Sequence, residues 1–197
     1  MTGFIGTAWI SEALSEAGSP DAAYRLLQQT TYPSWLYPVT QGATTIWERL
    51  NSYTHVDGFG GNNRMNSFNH YSFGAVAAWM YGYSLGIARD ENSPGFKHFI
   101  LQPEPDPTGE MTYAKGYYDS MYGRIESSWE EKEDGYHYRF VVPANTSATV
   151  YIPLKENGNL EEFGGQDSSG SKITAAEIED GKAKYEIGSG IYRFVSN

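Results

Sequence analysis

The sequence predicts an α plus β chain in two parts: helices that form one sector of an α/α toroid, then an antiparallel β-sandwich. Three observations carry this. Apolar residues recur at helical spacing over 7–31 and again toward 88. Pro94, Pro103, Pro105 and Pro107 then break the pattern and mark a connection over 96–109. Residues 110–197 fall into short β-branched and aromatic runs separated by turn signals, the pattern of a sandwich.

Thr7 to Ala17 reads as a helix with Trp9, Ile10, Ala13, Leu14 and Ala17 on its apolar face. Thr7 can cap its start and Gly18 stops it. A second helix opens at Ser19-Pro20-Asp21, with Ser19 as cap, Pro20 at the first helical position and Asp21 at the positive end. Its stripe is Ala23, Leu26 and Leu27, and it ends near Thr31. The two form an αα-hairpin. Two prolines in Tyr32–Pro38 argue against a regular element there. A helical turn is expected over Thr45–Arg49, a glycine- and asparagine-rich loop over Asn51–Asn66, and a longer helix over Ser67–Ala88. Three helices and a loop cannot bury both faces of each helix, which is why the helical part reads as a sector of something larger.

In the second part, Arg124–Trp129, Tyr136–Val142, Ala148–Ile152, Lys182–Ile187 and Ile191–Val195 read as strands. Asp134-Gly135 and Asp180-Gly181 are hairpin turns. Phe163–Ser171 reads as an exposed loop.

Charge and composition exclude several functions. With 24 acids against 14 Lys and Arg, the net charge is −10 and no basic stripe shows along the chain, so nucleic acid and anionic membrane surfaces are not expected partners. No apolar run approaches the roughly 20 residues that cross a bilayer. The absence of cysteine removes thiolate chemistry and cysteine metal sites but does not fix the compartment. His55, His70, His98 and His137 lack paired metal-ligand spacing, so no metal is expected. The opening Met1–Thr7 reads as the middle of a fold, as if Met1 had been added to a piece of a longer protein.

The chemistry concentrates in Tyr32–Val76. Rings, amides and a lone acid crowd there in neither helical nor alternating order, as in a cleft wall. Glu48 is the only acid between Asp21 and Asp57, and it sits between Trp47 and Arg49. An acid among rings can serve as a general acid or base. A structural salt bridge from Glu48 to Arg49 or to a histidine is the competing reading. His70 could donate to a sugar hydroxyl or to Glu48, or be a satisfied structural residue. Asn69 could bind hydroxyls or cap a helix. Trp35 and Trp47 could stack on a sugar face or belong to the core.

The stretch Tyr32-Pro-Ser-Trp-Leu-Tyr-Pro-Val-Thr-Gln-Gly-Ala-Thr-Thr-Ile-Trp-Glu-Arg49, followed by Met65-Asn-Ser-Phe-Asn-His-Tyr-Ser-Phe-Gly-Ala-Val76, closely resembles bacterial α-L-rhamnosidases of glycoside hydrolase family 78. Thr2–Thr7 fits as well, and residues 110–197 are similar in kind to the small β-sandwich that follows the catalytic barrel in that family. The resemblance implies that residues 1–95 are the C-terminal part of an (α/α)6 catalytic barrel acting by inversion on terminal α-L-rhamnosides. It implies Glu48 as the general base and His70 as a sugar-binding residue; Trp35, Trp47 and Asn69 stay the further candidate substrate contacts from the residues themselves, and no organic cofactor is implied. Inverting enzymes hold their two carboxyl groups roughly 6.5–9.5 Å apart, with room for a water.

Two features depart from the family. Leu50 stands where an aromatic commonly follows Trp-Glu-Arg, and no upstream acidic segment supplies a general acid. The expectation is therefore a fragment with the base but not the acid, inactive alone, whose partner is the rest of the barrel and whose uncovered helix faces self-associate. The alternative is a non-catalytic carbohydrate-binding or interaction module. The resemblance favours a bacterial periplasmic or secreted protein over a cytoplasmic one.

Overall fold

The computed structural model describes residues 3–60, 64–154, 160–167 and 177–197. The chain divides into two compact units: residues up to 79 together with 106–108, and residues 80–105 together with 109–197.

The first unit opens with α1 (Gly3–Glu16) and α2 (Pro20–Gln28), the predicted αα-hairpin. Pro20 takes the first helical position and Asp21 the first turn, as expected. Ser19 contributes its backbone carbonyl, which accepts from Ala22 and Ala23, but its side chain makes no cap bond. The face of α1 differs from the reading above. Ser11 and Ser15 are its buried residues, whereas Trp9 is 64% exposed and Ile5 83%. A polar bond decides this: the buried Trp79 indole donates to Ser15 Oγ at 2.9 Å. Trp79 also meets Tyr24 of α2 edge to face at 5.0 Å, and both are almost fully buried.

Between Tyr32 and Pro38, where no element was expected, the chain forms α3 (Leu36–Thr40). Pro38 is tolerated there because it lies in the first turn, where a backbone N–H has no helical partner to lose. The helical turn expected over Thr45–Arg49 is absent. That segment bends at Thr44–Thr45 and again at Glu48–Arg49 and runs beside residues 67–70: Glu48 N donates to Ser67 O at 2.8 Å and His70 N to Ile46 O at 2.8 Å. This pairing also shortens the helix expected from Ser67. Backbone groups engaged across the pair cannot form a helical ladder, so helix starts only at Ser72. It runs as a 3-10 turn (Ser72–Ala75), then α4 (Val76–Trp79), then a π turn (Met80–Ser84). Asp106 is fully buried in this unit. Gln28 Nε2 donates to it at 2.5 Å and Thr108 Oγ1 at 2.9 Å.

The second unit holds two five-stranded sheets. The first has the order β1-β2-β6-β9-β8, with β1 Ile87–Arg89, β2 His98–Leu101, β6 Ser147–Pro153, β8 Glu177–Glu179 and β9 Lys182–Ile187. The second has the order β3-β4-β5-β10-β7, with β3 Tyr113–Ser120, β4 Gly123–Lys132, β5 Gly135–Val142, β7 Leu160–Asp167 and β10 Gly190–Ser196. Every pairing is antiparallel except β2 with β6. His98 reinforces that parallel pair, its ring nitrogens within 2.7 Å of Ser147 Oγ and 2.9 Å of Thr149 Oγ1.

The five predicted strands are present. Two more lie where helix and connection were read, β1 and β2, and β7 occupies residues 163–167 of the expected loop; 168–171 lie outside the described residues. Trp129, Tyr138, Phe140, Tyr185, Tyr192 and Phe194 fill the core between the sheets, where Tyr185 and Phe194 pack at 5.0 Å. Two bonds fix where the chain enters the first sheet: Trp129 Nε1 donates to Ser84 O at 2.8 Å and Ser127 Oγ to Leu85 O at 2.5 Å. Gly86 follows with φ +70°, and a Cβ there would sit 2.1 Å from the Gln102 carbonyl carbon. Among the described residues no helix is long and apolar enough to cross a membrane.

Candidate functional site

Glu48 is half-buried at the wall of a cleft of 180 Å³ in the first unit, lined also by Phe4, Tyr32, Arg49, Leu50 and Phe73. Glu48 Oε2 accepts from Ser67 N at 3.0 Å, closing a two-bond ring with the Glu48 N–H to Ser67 O bond. One carboxylate oxygen is thereby anchored.

The competing salt bridge does not form. Among the described residues Glu48 has no ion pair, and the adjacent Arg49 points elsewhere: its Nε donates to Met65 O at 3.0 Å and a terminal nitrogen to Asn66 Oδ1 at 2.5 Å. Arg49 therefore fixes the segment that leads into Ser67, and so helps hold the backbone donor to Glu48.

A second hollow of 190 Å³ adjoins the cleft through Leu50 and Phe73. Trp35 lines it, half-buried, with its indole N–H held by Phe73 O at 2.8 Å. A ring fixed at one edge presents a constant face. His70 is half-buried and stacks between Phe4 at 5.1 Å and Tyr71 at 5.6 Å, and its Nδ1 accepts from Ser72 N at 3.4 Å. An Nδ1 that accepts leaves Nε2 to carry the proton, so the ring presents a donor. No hydrogen bond joins His70 to Glu48 among the described residues. Asn69 is exposed, and its backbone N–H reaches Ser67 Oγ at 3.3 Å.

Trp47 is placed differently from its neighbours. Only 6% of it is exposed and its ring meets Phe68 edge to face at 5.1 Å, so it packs behind the Glu48 segment instead of facing the cleft. Phe4 was missed by sequence reasoning, although it joins His70, Phe73 and the Glu48 cleft. Its signal was an aromatic at the first turn of α1, directly after a glycine.

The comparisons with known proteins agree along the chain. Residues 1–83 match the bacterial alpha-L-rhamnosidase 6 hairpin glycosidase domain and residues 86–166 the bacterial alpha-L-rhamnosidase C-terminal domain. An alpha-L-rhamnosidase of Streptomyces avermitilis is 39% identical over 98% of this chain, and one of Formosa agariphila 40% identical over the same share. This chain spans 18% and 20% of their respective lengths. The crystal structure of the Streptomyces avermitilis alpha-L-rhamnosidase complexed with L-rhamnose superposes with TM-score 0.83 at 37% identity, covering 99% of this chain and 18% of that one. The alpha-L-rhamnosidase from Dictyoglumus thermophilum gives 0.79 at 32% identity, covering 99% of this chain and 21% of that one. The chain belongs to the bacterial alpha-L-rhamnosidase family and corresponds to a C-terminal portion of it, the last of the hairpin glycosidase domain together with the C-terminal sandwich domain.

Proposed function

We propose that this chain is part of a glycoside hydrolase that cleaves terminal α-L-rhamnosides by inversion, with Glu48 as the general base. The observation that supports this most is the state of the Glu48 carboxylate. It faces a ring-lined cleft and, among the described residues, carries no counter-cation and is held by a single backbone N–H. A carboxylate fixed at one oxygen keeps the other free to take a proton from water. In an inverting reaction that water attacks the anomeric carbon from the face opposite the leaving group. A carboxylic acid on the leaving-group side protonates the departing oxygen. We place that acid in the rest of the barrel, outside these residues.

His70 would donate to a sugar hydroxyl from its free nitrogen, Trp35 would pack on a sugar face, and Asn69 would bind a hydroxyl at the rim. Trp47 would contribute by backing the Glu48 segment. The helices of the first unit would be the barrel sector, and the two sheets of the second unit, which take in β1 and β2, the sandwich.

The test uses the full-length enzyme that carries these residues and an aryl α-L-rhamnoside. Glu48→Gln should lower kcat by about 10²–10⁴-fold while leaving KM for the rhamnoside within a few fold. An unchanged kcat would overturn the role of Glu48. The isolated chain should show no turnover. Sustained hydrolysis by it, abolished by Glu48→Gln, would overturn the placement of the acid elsewhere.

A further inference from the structure

In the second unit, the sheet of β3, β4, β5, β10 and β7 carries a groove of 680 Å³. That lies within the roughly 300–1,000 Å³ range of small-molecule sites. Lys115 of β3, Ser128 of β4, Arg139 of β5 and Arg193 of β10 line it. The pairings Lys115↔Ser128, Ser128↔Arg139 and Arg139↔Arg193 set these four in one row across the strands. Tyr113, Glu130 and His137 form the neighbouring row on the same face. A chain of net charge −10 thus gathers a cationic row from segments far apart in sequence.

Among the described side chains, the acids around this row are already committed. Asp134 bonds His137 at 2.7 Å, Glu130 bonds Lys132 at 3.1 Å, and Glu126 bonds Arg139 at 2.5 Å. Lys115 and Arg193 are exposed and have no acidic partner among the described residues. Arg193 also stands directly opposite Arg139 on antiparallel strands. Like charges opposite each other weaken a sheet, and one glutamate offsets only one of the two guanidiniums. A bound anion would offset the second. The planar fork of arginine suits a planar carboxylate. Tyr113, 66% exposed, adds a ring that can pack on the apolar face of a sugar.

We propose that this groove binds the carboxylate of an acidic sugar unit in a saccharide chain. Arg193 and Lys115 hold the carboxylate and Tyr113 packs on the ring that bears it. The choice of a sugar as the carboxylate's source rests on the family's saccharide chemistry; the anion site itself stands on the row of cations. Such a site would hold an acidic polysaccharide while the other unit works on it.

Calorimetric titration of the 197-residue chain with tri-galacturonate, with its methyl ester and with inorganic phosphate tests this. Tri-galacturonate should bind, and Arg193→Gln and Lys115→Gln should each weaken it about tenfold or more. The methyl ester should bind at least about tenfold more weakly, and Glu48→Gln should change nothing. Both substituted side chains are exposed, so neither change empties the core. No binding of tri-galacturonate, or binding unaffected by both substitutions, would overturn the site. Phosphate binding as tightly as tri-galacturonate would overturn the sugar assignment. None of these outcomes depends on rhamnoside turnover, so failure here leaves the Glu48 reading to its own test.

Discussion

Glu48 and Ser67 are joined twice: the Glu48 N–H donates to Ser67 O, and the Ser67 N–H donates to the Glu48 carboxylate. The side chain's direction is thus fixed by a backbone 19 residues away. Ser67→Pro removes the second donor without touching the carboxylate. In the full-length enzyme it should reduce kcat well beyond Ser67→Ala, which keeps the N–H. Equal rates for the two variants, by steady-state hydrolysis of an aryl rhamnoside, would show that the anchor has no part in positioning.

The buried bond from Trp79 Nε1 to Ser15 Oγ should be worth more broken than its net contribution suggests, because a stranded indole N–H pays its full desolvation cost. Ser15→Ala should destabilise the first unit by roughly 1–3 kcal/mol. Adding Trp79→Phe should cost less than the sum of the two single changes. Urea titrations of the four proteins give the coupling directly.

Glu12 lies half-buried on α1. Burial first, and then the Glu16 carboxylate one turn on, raise its pKa above the usual 4.5. A carboxyl raised on folding contributes stability below the unfolded value, and that contribution is lost as pH rises through the folded value. At neutral pH Glu12 therefore opposes folding. Glu12→Gln should raise the Tm at about pH 7 by the equivalent of a few tenths of a kcal/mol, and should have little effect at about pH 3. A larger gain at the acid end would contradict the sign.

Ile5 and Trp9 are spaced four apart on α1 and lie 83% and 64% exposed. Exposed apolar faces of this kind pair with something. The isolated chain should self-associate as concentration rises, and Ile5→Lys with Trp9→Lys should suppress it. Light scattering that shows a strict monomer over a wide concentration range would refute the expectation.

Gly86 is the glycine whose replacement should be felt most in the second unit. Its φ of +70° and the 2.1 Å approach of an added Cβ to the Gln102 backbone leave no room for alanine. Gly86→Ala should cost at least about 1–3 kcal/mol by thermal unfolding. Gly82, with open space at its Cβ, should tolerate the same change better.

By itself, the sequence determined the αα-hairpin and five strands with two Asp-Gly turns, and it singled out Glu48 as the acid to test. These are local matters: caps, breakers, alternation and one acid in an uncharged stretch act between near neighbours in the chain. The tertiary structure decided the rest. Thr45–Arg49 forms no helical turn because Ser67–His70 lies alongside and bonds its backbone, and that pairing cut short the helix expected from Ser67. Ser15 turned inward because Trp79, 64 residues away, offers it a buried donor, which left Trp9 outward against its own periodicity. Trp47 and Glu48 were adjacent candidates until the fold buried one and left the other at the cleft wall. The cationic row of Lys115, Arg139 and Arg193 was invisible along the chain, since strand register alone makes neighbours of residues so far apart. Each of these outcomes depends on a partner distant in sequence, and a pattern read over a short window carries no record of such a partner.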